Sequence, residues 1–167
     1  AIAVEEKSHI YHYEAGAPAL ISSVVMRTIK GDRGVMDLGA LEASYPPDDP
    51  HFAPFGLVCA EDTANKGGGT VHPLERLDAI AASAHAHGAK AHLDGARLFN
   101  AVAASGIPAD RRAREFDTVS ICFSKGLGAP VGSALCIPSS RRGAAVRARK
   151  ALGGGMRQSD ILAAAAL

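Results

Sequence analysis

The chain has no prevailing charge. Its 18 Lys and Arg face 17 Asp and Glu, a formal net charge of +1. The two signs are interspersed, so no basic stripe exists to track a phosphate backbone, and no nucleic-acid partner is expected. No apolar run approaches the length of a bilayer span, and the first residues lack the pattern of a secretory leader, so no membrane partner is expected either. Cysteine is scarce: Cys59, Cys122 and Cys136 are odd in number and form no CxxC pair, which argues against a disulfide framework. All three lie in apolar, strand-like blocks, and the expectation is buried, reduced thiols in a cytoplasmic protein. What remains is 167 residues, suited to one domain that can bury a real core.

One stretch organises that domain. Thr118-Val119-Ser120-Ile121-Cys122-Phe123 is a β-branched and aromatic block that reads as a buried strand. Directly after it comes Ser124-Lys125-Gly126-Leu127-Gly128-Ala129-Pro130-Val131-Gly132-Ser133. Lys125 therefore sits just past a strand end, among glycines that leave room for a large planar ligand, and with no acid beside it. A lysine so placed can form a Schiff base with a carbonyl; an exposed lysine in a turn is the plainer alternative. One strand-helix-strand unit upstream, Ala89-Lys90-Ala91-His92-Leu93-Asp94-Gly95-Ala96-Arg97 predicts a strand ending on an aspartate, with a helix over residues 98–104. Parallel neighbours joined by a right-handed crossover would bring Asp94 and Lys125 out at one sheet edge, where open α/β sheets bind ligands. An aspartate facing a pyridinium nitrogen and an amine-donating lysine are what pyridoxal phosphate requires of a protein. Taken alone, Asp94 could equally cap the helix.

Three motifs carry a resemblance. They are His92-Leu93-Asp94-Gly95-Ala96-Arg97-Leu98-Phe99-Asn100-Ala101, the segment from Ser124 to Ser133, and Leu152-Gly153-Gly154-Gly155-Met156-Arg157-Gln158. In this order and at these gaps the chain resembles the low-specificity L-threonine aldolases, fold-type I pyridoxal-phosphate enzymes within the β-eliminating lyase group. The resemblance implies cleavage of L-threonine or L-allo-threonine to glycine and acetaldehyde. It implies that Lys125 and Asp94 hold pyridoxal 5'-phosphate, that His9 lies over its ring, that His9 or a phosphate-linked water is the base, and that Arg97 belongs to the cofactor-binding set and contacts the substrate carboxylate. Lys150 and Arg157 match positions near the dimer-facing side of the site. The family's chains are longer, so the resemblance implies that residues 1–167 are the central part of the cofactor-binding large domain, without the phosphate-loop segment before it and the small domain after it. It further implies a homodimer or homotetramer for the full-length protein. Two departures stand out in Glu61-Asp62-Thr63-Ala64-Asn65, where the family has Glu-Asn-Thr-His-Asn. Asp62 replaces an asparagine, and Ala64 replaces a histidine that is a candidate for contacting the substrate's β-hydroxyl. Another β-eliminating amino-acid lyase, or a non-catalytic truncated relative, are the alternatives.

The rest of the chain supports an α/β domain, a largely parallel sheet with helices on both faces. Residues 19–23 read as helix and 24–29 as strand, followed by a surface turn over 30–34. Asp37 predicts a capped short helix, and residues 45–50 a proline-rich loop. Residues 56–60 read as a buried strand. Pro73 opens a helix whose apolar positions recur at helical spacing until Gly88. His85 and His87, near its end, have no acidic or cysteine partner in sequence, so no metal site is expected. His92 reads as a core histidine. Residues 132–137 predict a further strand, and Ser139 the cap of a basic helix over 140–152.

Overall fold

The computed structural model describes all 167 residues. Six strands form the main sheet: β1 (Ile2–Glu5), β2 (Met26–Ile29), β5 (Leu57–Glu61), β6 (Lys90–Gly95), β7 (Thr118–Cys122) and β8 (Ser133–Cys136). Their order is β2-β1-β5-β6-β7-β8. The first five are mutually parallel and β8 runs antiparallel to β7. A two-stranded hairpin, β3 (Gly31–Asp32) with β4 (Val35–Met36), forms a second sheet whose Met36 joins the main core. This is the largely parallel α/β architecture expected from the alternation of strand and helix blocks.

The connections decide which face each helix covers. From β1 the chain steps outward to β2 through α1 (His9–His12) and α2 (Ala17–Ser22). It then crosses back over β1 to β5 by way of α3 (Leu38–Ser44), and steps the other way through α4 (Leu74–Ala86), α5 (Leu98–Ser105) and α6 (Ala109–Ala113). Parallel crossovers are right-handed, so opposite directions of travel place helices on opposite faces. Helices α1 and α2 accordingly lie on one face, and α3 to α6 on the other.

Side-chain alternation shows the same division. Along β6, Ala91, Leu93 and Gly95 are buried whereas Lys90, His92 and Asp94 are not. Ala3, Val58, Leu93 and Val119 join Leu77, Ile80, Ala81 and Ala84 of α4 in the main core cluster. Helix α4 behaves as its spacing predicts: Leu77 and Ile80 are fully buried, and Gly88 closes the end at φ +74°. Asp37 caps α3, its carboxylate accepting from the Ala40 N–H at 2.7 Å.

Several expectations need correction. Strand β7 is not buried on both sides; only Val119 is buried, and its other four residues are half-buried. Cys59 is buried, and desolvation pushes its thiol up to about 12, with the nearby Asp94 charge acting in the same direction. Cys136, by contrast, is exposed on the edge strand β8, and Cys122 is only half-buried. Ser139 makes no capping bond; a 3-10 turn (Ser139–Arg141) precedes α7 (Arg142–Ala151). Residues 30–34 are not merely a surface turn, since their hairpin packs into the loop after β5.

At the amino-terminal ends of the strands, Asp117 accepts from the Ala91 N–H at 2.8 Å and pairs with His85 at 2.9 Å and Lys90 at 3.0 Å. Burial opposes ionisation of Asp117, but the Ala91 N–H, His85 and Lys90 together outweigh it and hold the carboxyl down to about 2. A carboxylate depressed in the folded state stabilises the fold fully above its unfolded pKa, and that contribution is lost as pH falls through the folded value. Asp117→Asn is therefore expected to cost about 1 kcal/mol at neutral pH, allowing for solvent screening of a partly exposed group. In urea unfolding the gap between variant and parent should shrink as pH drops from 4 toward 2. In the core, Leu93→Ala is expected to cost about 3 kcal/mol, and Leu135→Ala on the exposed side of β8 about 0.5 kcal/mol or less, read from the same denaturation curves.

Candidate active site

The strand order reverses between β1 and β5, since the chain leaves β1 in one direction and β5 in the other. Ligands in open α/β sheets bind outside the carboxyl ends at such a reversal. The carboxyl ends here carry Glu5, Glu61 and Asp94, with Glu61 paired in register with Asp94 and Asp94 with Ser120. A cavity of about 400 Å³ opens on this face beneath α1 and α2, with His9, Glu14, Cys59, His92, Asp94 and Ser120 in its lining.

Asp94 stands at its floor. One carboxylate oxygen, Oδ1, accepts from the Ala96 N–H at 3.1 Å and lies 3.5 Å from the Ser120 hydroxyl. The other oxygen has no hydrogen-bond partner within the protein. Asp94 does not cap the following helix: α5 starts after Arg97 with no side-chain cap. His92, two residues earlier on the same face, is hydrogen-bonded to the Thr118 hydroxyl at 2.7 Å. Burial lowers its pKa, against the pull of Asp94 and Thr118, so this ring is held as a neutral wall of the cavity.

His9 comes from the other side. Its backbone N–H donates to Glu61 Oε2 at 2.7 Å, and the Asn65 N–H donates to Glu61 Oε1 at 2.9 Å. One buried carboxylate thus joins the start of α1 to the loop after β5. Ser8 precedes α1 in extended conformation but makes no side-chain cap bond. The His9 ring meets Glu14 Oε1 through Nε2 at 2.9 Å and lies 5.1 Å from the Tyr13 ring.

Lys125 lies three residues beyond the end of β7, and β7 is the parallel neighbour of the strand that carries Asp94. It is exposed and does not line the cavity around Asp94. Its loop is closed by Gly128 N–H to Lys125 O at 3.0 Å, Ala129 N–H to Phe123 O at 3.0 Å and Phe123 N–H to Gly132 O at 2.9 Å. Gly126 lies against Asn100 of α5, where a Cβ would meet the Asn100 side-chain oxygen. A side chain at this glycine would require the exposed Asn100 amide to turn aside. Arg97 is half-buried just after β6 and forms no ion pair with Asp94. Lys150 and Arg157 are exposed and stand outside the cavity; Lys150 lies along Gly155.

The two departures in the loop after β5 have different explanations. Asp62 is fully buried, and Arg112 reaches it from α6 with Nε at 2.9 Å and Nη2 at 2.6 Å. The same guanidinium donates to the His72 carbonyl at 2.8 Å, and the His72 N–H donates to Asp62 at 3.1 Å. Burial works to raise the Asp62 pKa, but the hydrogen bonds from His72 and Arg112 prevail and hold it below the ordinary carboxylate value. Asp62 also ties back to the site, its N–H donating to the Asp94 carbonyl at 2.9 Å. The anionic residue is thus matched by a buried cation that sequence reading missed. The available signal was Asp62 itself: a carboxylate beside a buried strand needs a partner. Ala64, in turn, is buried against Gly34 of the hairpin, where even a Cβ would collide with the Ala64 methyl.

Two outcomes follow. Arg112→Met strands a buried carboxylate and should cost about 3–5 kcal/mol; adding Asp62→Asn should recover part of that loss in urea unfolding. Ala64→His is expected to overpack the hairpin contact and cost about 1–3 kcal/mol, seen as a lower melting temperature.

A sequence model of the family described as Beta-eliminating lyase matches residues 1–167. An Arabidopsis thaliana protein named "Probable low-specificity L-threonine aldolase 2" is 44% identical over 165 residues, covering 97% of this chain and 46% of its own. The Low specificity L-threonine aldolase of Escherichia coli K12 is 40% identical over 165 residues, covering 98% of this chain and 49% of its own. The solved Leishmania major threonine aldolase superposes with a TM-score of 0.71 at 26% identity, over 85% of this chain and 43% of that one. The chain spans about half the length of the curated relatives it matches.

Proposed function

The chain belongs to the beta-eliminating lyase family, and from that premise we propose that it is the central part of a pyridoxal-phosphate-dependent threonine aldolase, cleaving L-threonine or L-allo-threonine to glycine and acetaldehyde. The observation that carries the reading is Asp94: a carboxylate at the end of a parallel strand, with one oxygen tied to the backbone and the other free, in a cavity that His9 also lines.

These residues fit the cofactor. The free Asp94 oxygen can accept a ring N–H, and a carboxylate there favours the protonated nitrogen. Lys125, exposed on the loop after the neighbouring strand, would supply the amine that holds the cofactor. The bound cofactor supplies an electron sink for the pair released when the Cα–Cβ bond of a β-hydroxy amino acid breaks. The chain's own groups do the rest. Arg97, half-buried and free of an acidic partner, offers a forked donor to the substrate carboxylate. His9 is the ring placed to take the β-hydroxyl proton. His92, held neutral, adds no charge that would compete with Asp94. Lys150 and Arg157, exposed and outside the cavity, serve a contact with a second subunit in a homodimer or homotetramer.

The test is an absorbance spectrum of the protein with added pyridoxal phosphate, then borohydride reduction and peptide mapping. The expected result is a visible band that disappears on reduction and leaves the label on Lys125. A label on another lysine, or none in full-length protein, overturns the assignment. In the full-length enzyme, Lys125→Ala should abolish turnover, while Arg97→Ala should raise KM by about tenfold or more, as loss of a charge-assisted bond predicts. Acetaldehyde as product supports the aldolase; pyruvate and ammonia would instead indicate an eliminating lyase of the same family.

A further inference from the structure

Glu14 had no place in the reading of the site, yet it lines the same cavity as His9 and Asp94. Its carboxylate Oε1 stands 2.9 Å from His9 Nε2. The contact is built by the backbone. Helix α1 ends after one turn at His12, and the chain then passes through two consecutive left-handed residues, Ala15 at φ +49° and Gly16 at φ +73°. The Ala17 N–H closes this turn on the Glu14 carbonyl at 2.7 Å. A left-handed alanine is uncommon and carries a modest strain cost. Here it reverses the chain so that α2 leaves in a new direction and Glu14 stays beside the first turn of α1.

His9 is thus held at two points by two carboxylates from different elements: at its backbone N–H by Glu61 of β5, and at its ring by Glu14. A carboxylate accepts only, so the ring nitrogen facing it must carry the proton. Nδ1 is then the one ring nitrogen left with a free lone pair. We propose that Glu14 is a positioning residue, which fixes the His9 ring by accepting its Nε2–H and leaves Nδ1 as the proton acceptor of the site. When Nδ1 takes the proton of a substrate hydroxyl, the imidazolium so formed is matched by the Glu14 carboxylate already in contact with it. This inference rests on the proposed role of His9, and with Ala64 turned into the hairpin, the His9–Glu14 pair is the acid–base pair found in this cavity.

The test reads His9 without requiring turnover. Diethylpyrocarbonate carbethoxylates a ring nitrogen that has a free lone pair, and reacts faster at Nε2 than at Nδ1, which is crowded by its own side-chain branch. In the parent the fast site is closed because Nε2–H is held by Glu14, and mass spectrometry follows each of the 7 histidines separately. At a pH about two units above the ordinary histidine pKa, Glu14→Met should raise the His9 rate at least threefold and leave His72, His85 and His92 unchanged. Glu14→Gln, which retains an accepting oxygen, should stay near the parent rate. Equal His9 rates in the parent and Glu14→Met, or an equal rise at all histidines, would overturn the proposal. In full-length enzyme, Glu14→Met should lower kcat about tenfold or more with KM within twofold, the pattern of an interaction made mainly in the transition state. A changed His9 rate in a protein that cleaves no threonine would leave the positioning role standing and refute the aldolase reading instead.

Discussion

The handedness of parallel crossovers is the constraint on which this structure depends. Because the chain leaves β1 toward β2 and β5 toward β6, right-handed connections put α1 and α2 on one face and α3 to α6 on the other. The strand ends between them are left uncovered, and residues far apart in sequence meet there. Glu61 makes the junction concrete. One carboxylate closes the backbone of both His9 and Asn65, so the entry to α1 and the loop after β5 cannot move independently.

Behind that junction lies a buried charge. Removing Asp62 and Arg112 from water is costly, and their attraction offsets the cost only because His72 supplies further hydrogen bonds. Such a pair adds little net stability compared with an apolar substitute, but it permits one arrangement of the loop rather than several. Since the Asp62 N–H also holds the Asp94 carbonyl, that single arrangement extends to the strand end at the cavity floor.

Much of this was legible in the sequence, where periodicity or spacing carried it. The β-branched blocks, the helix between Pro73 and Gly88 and the Asp37 cap are local features, and they appear where local physics placed them. The adjacency of the Asp94 and Lys125 strands followed from one general rule of chain connection. What escaped was non-local. Nothing near Asp62 in sequence points to Arg112, fifty residues away. Cys136 looked like a core residue because its block is apolar, but β8 is an edge strand and its outer side is open. Glu14 carries no local signal of its role: the left-handed Ala15 and Gly16 make it the end of one unit and a partner for His9.

Strand β6 writes two messages in alternate letters. Ala91, Leu93 and Gly95 address the core, while His92 and Asp94 address the cavity. Because the two sets never share a position, chemistry on one side can drift by substitution without disturbing the packing on the other, and the reverse holds as well. The same economy makes the strand brittle to a different kind of change. A one-residue insertion or deletion before Asp94 would turn the cavity letters into the core and the core letters outward. The strand therefore tolerates a change of spelling within either set better than any change in the count of its letters, and a change of length is more easily absorbed in the loops.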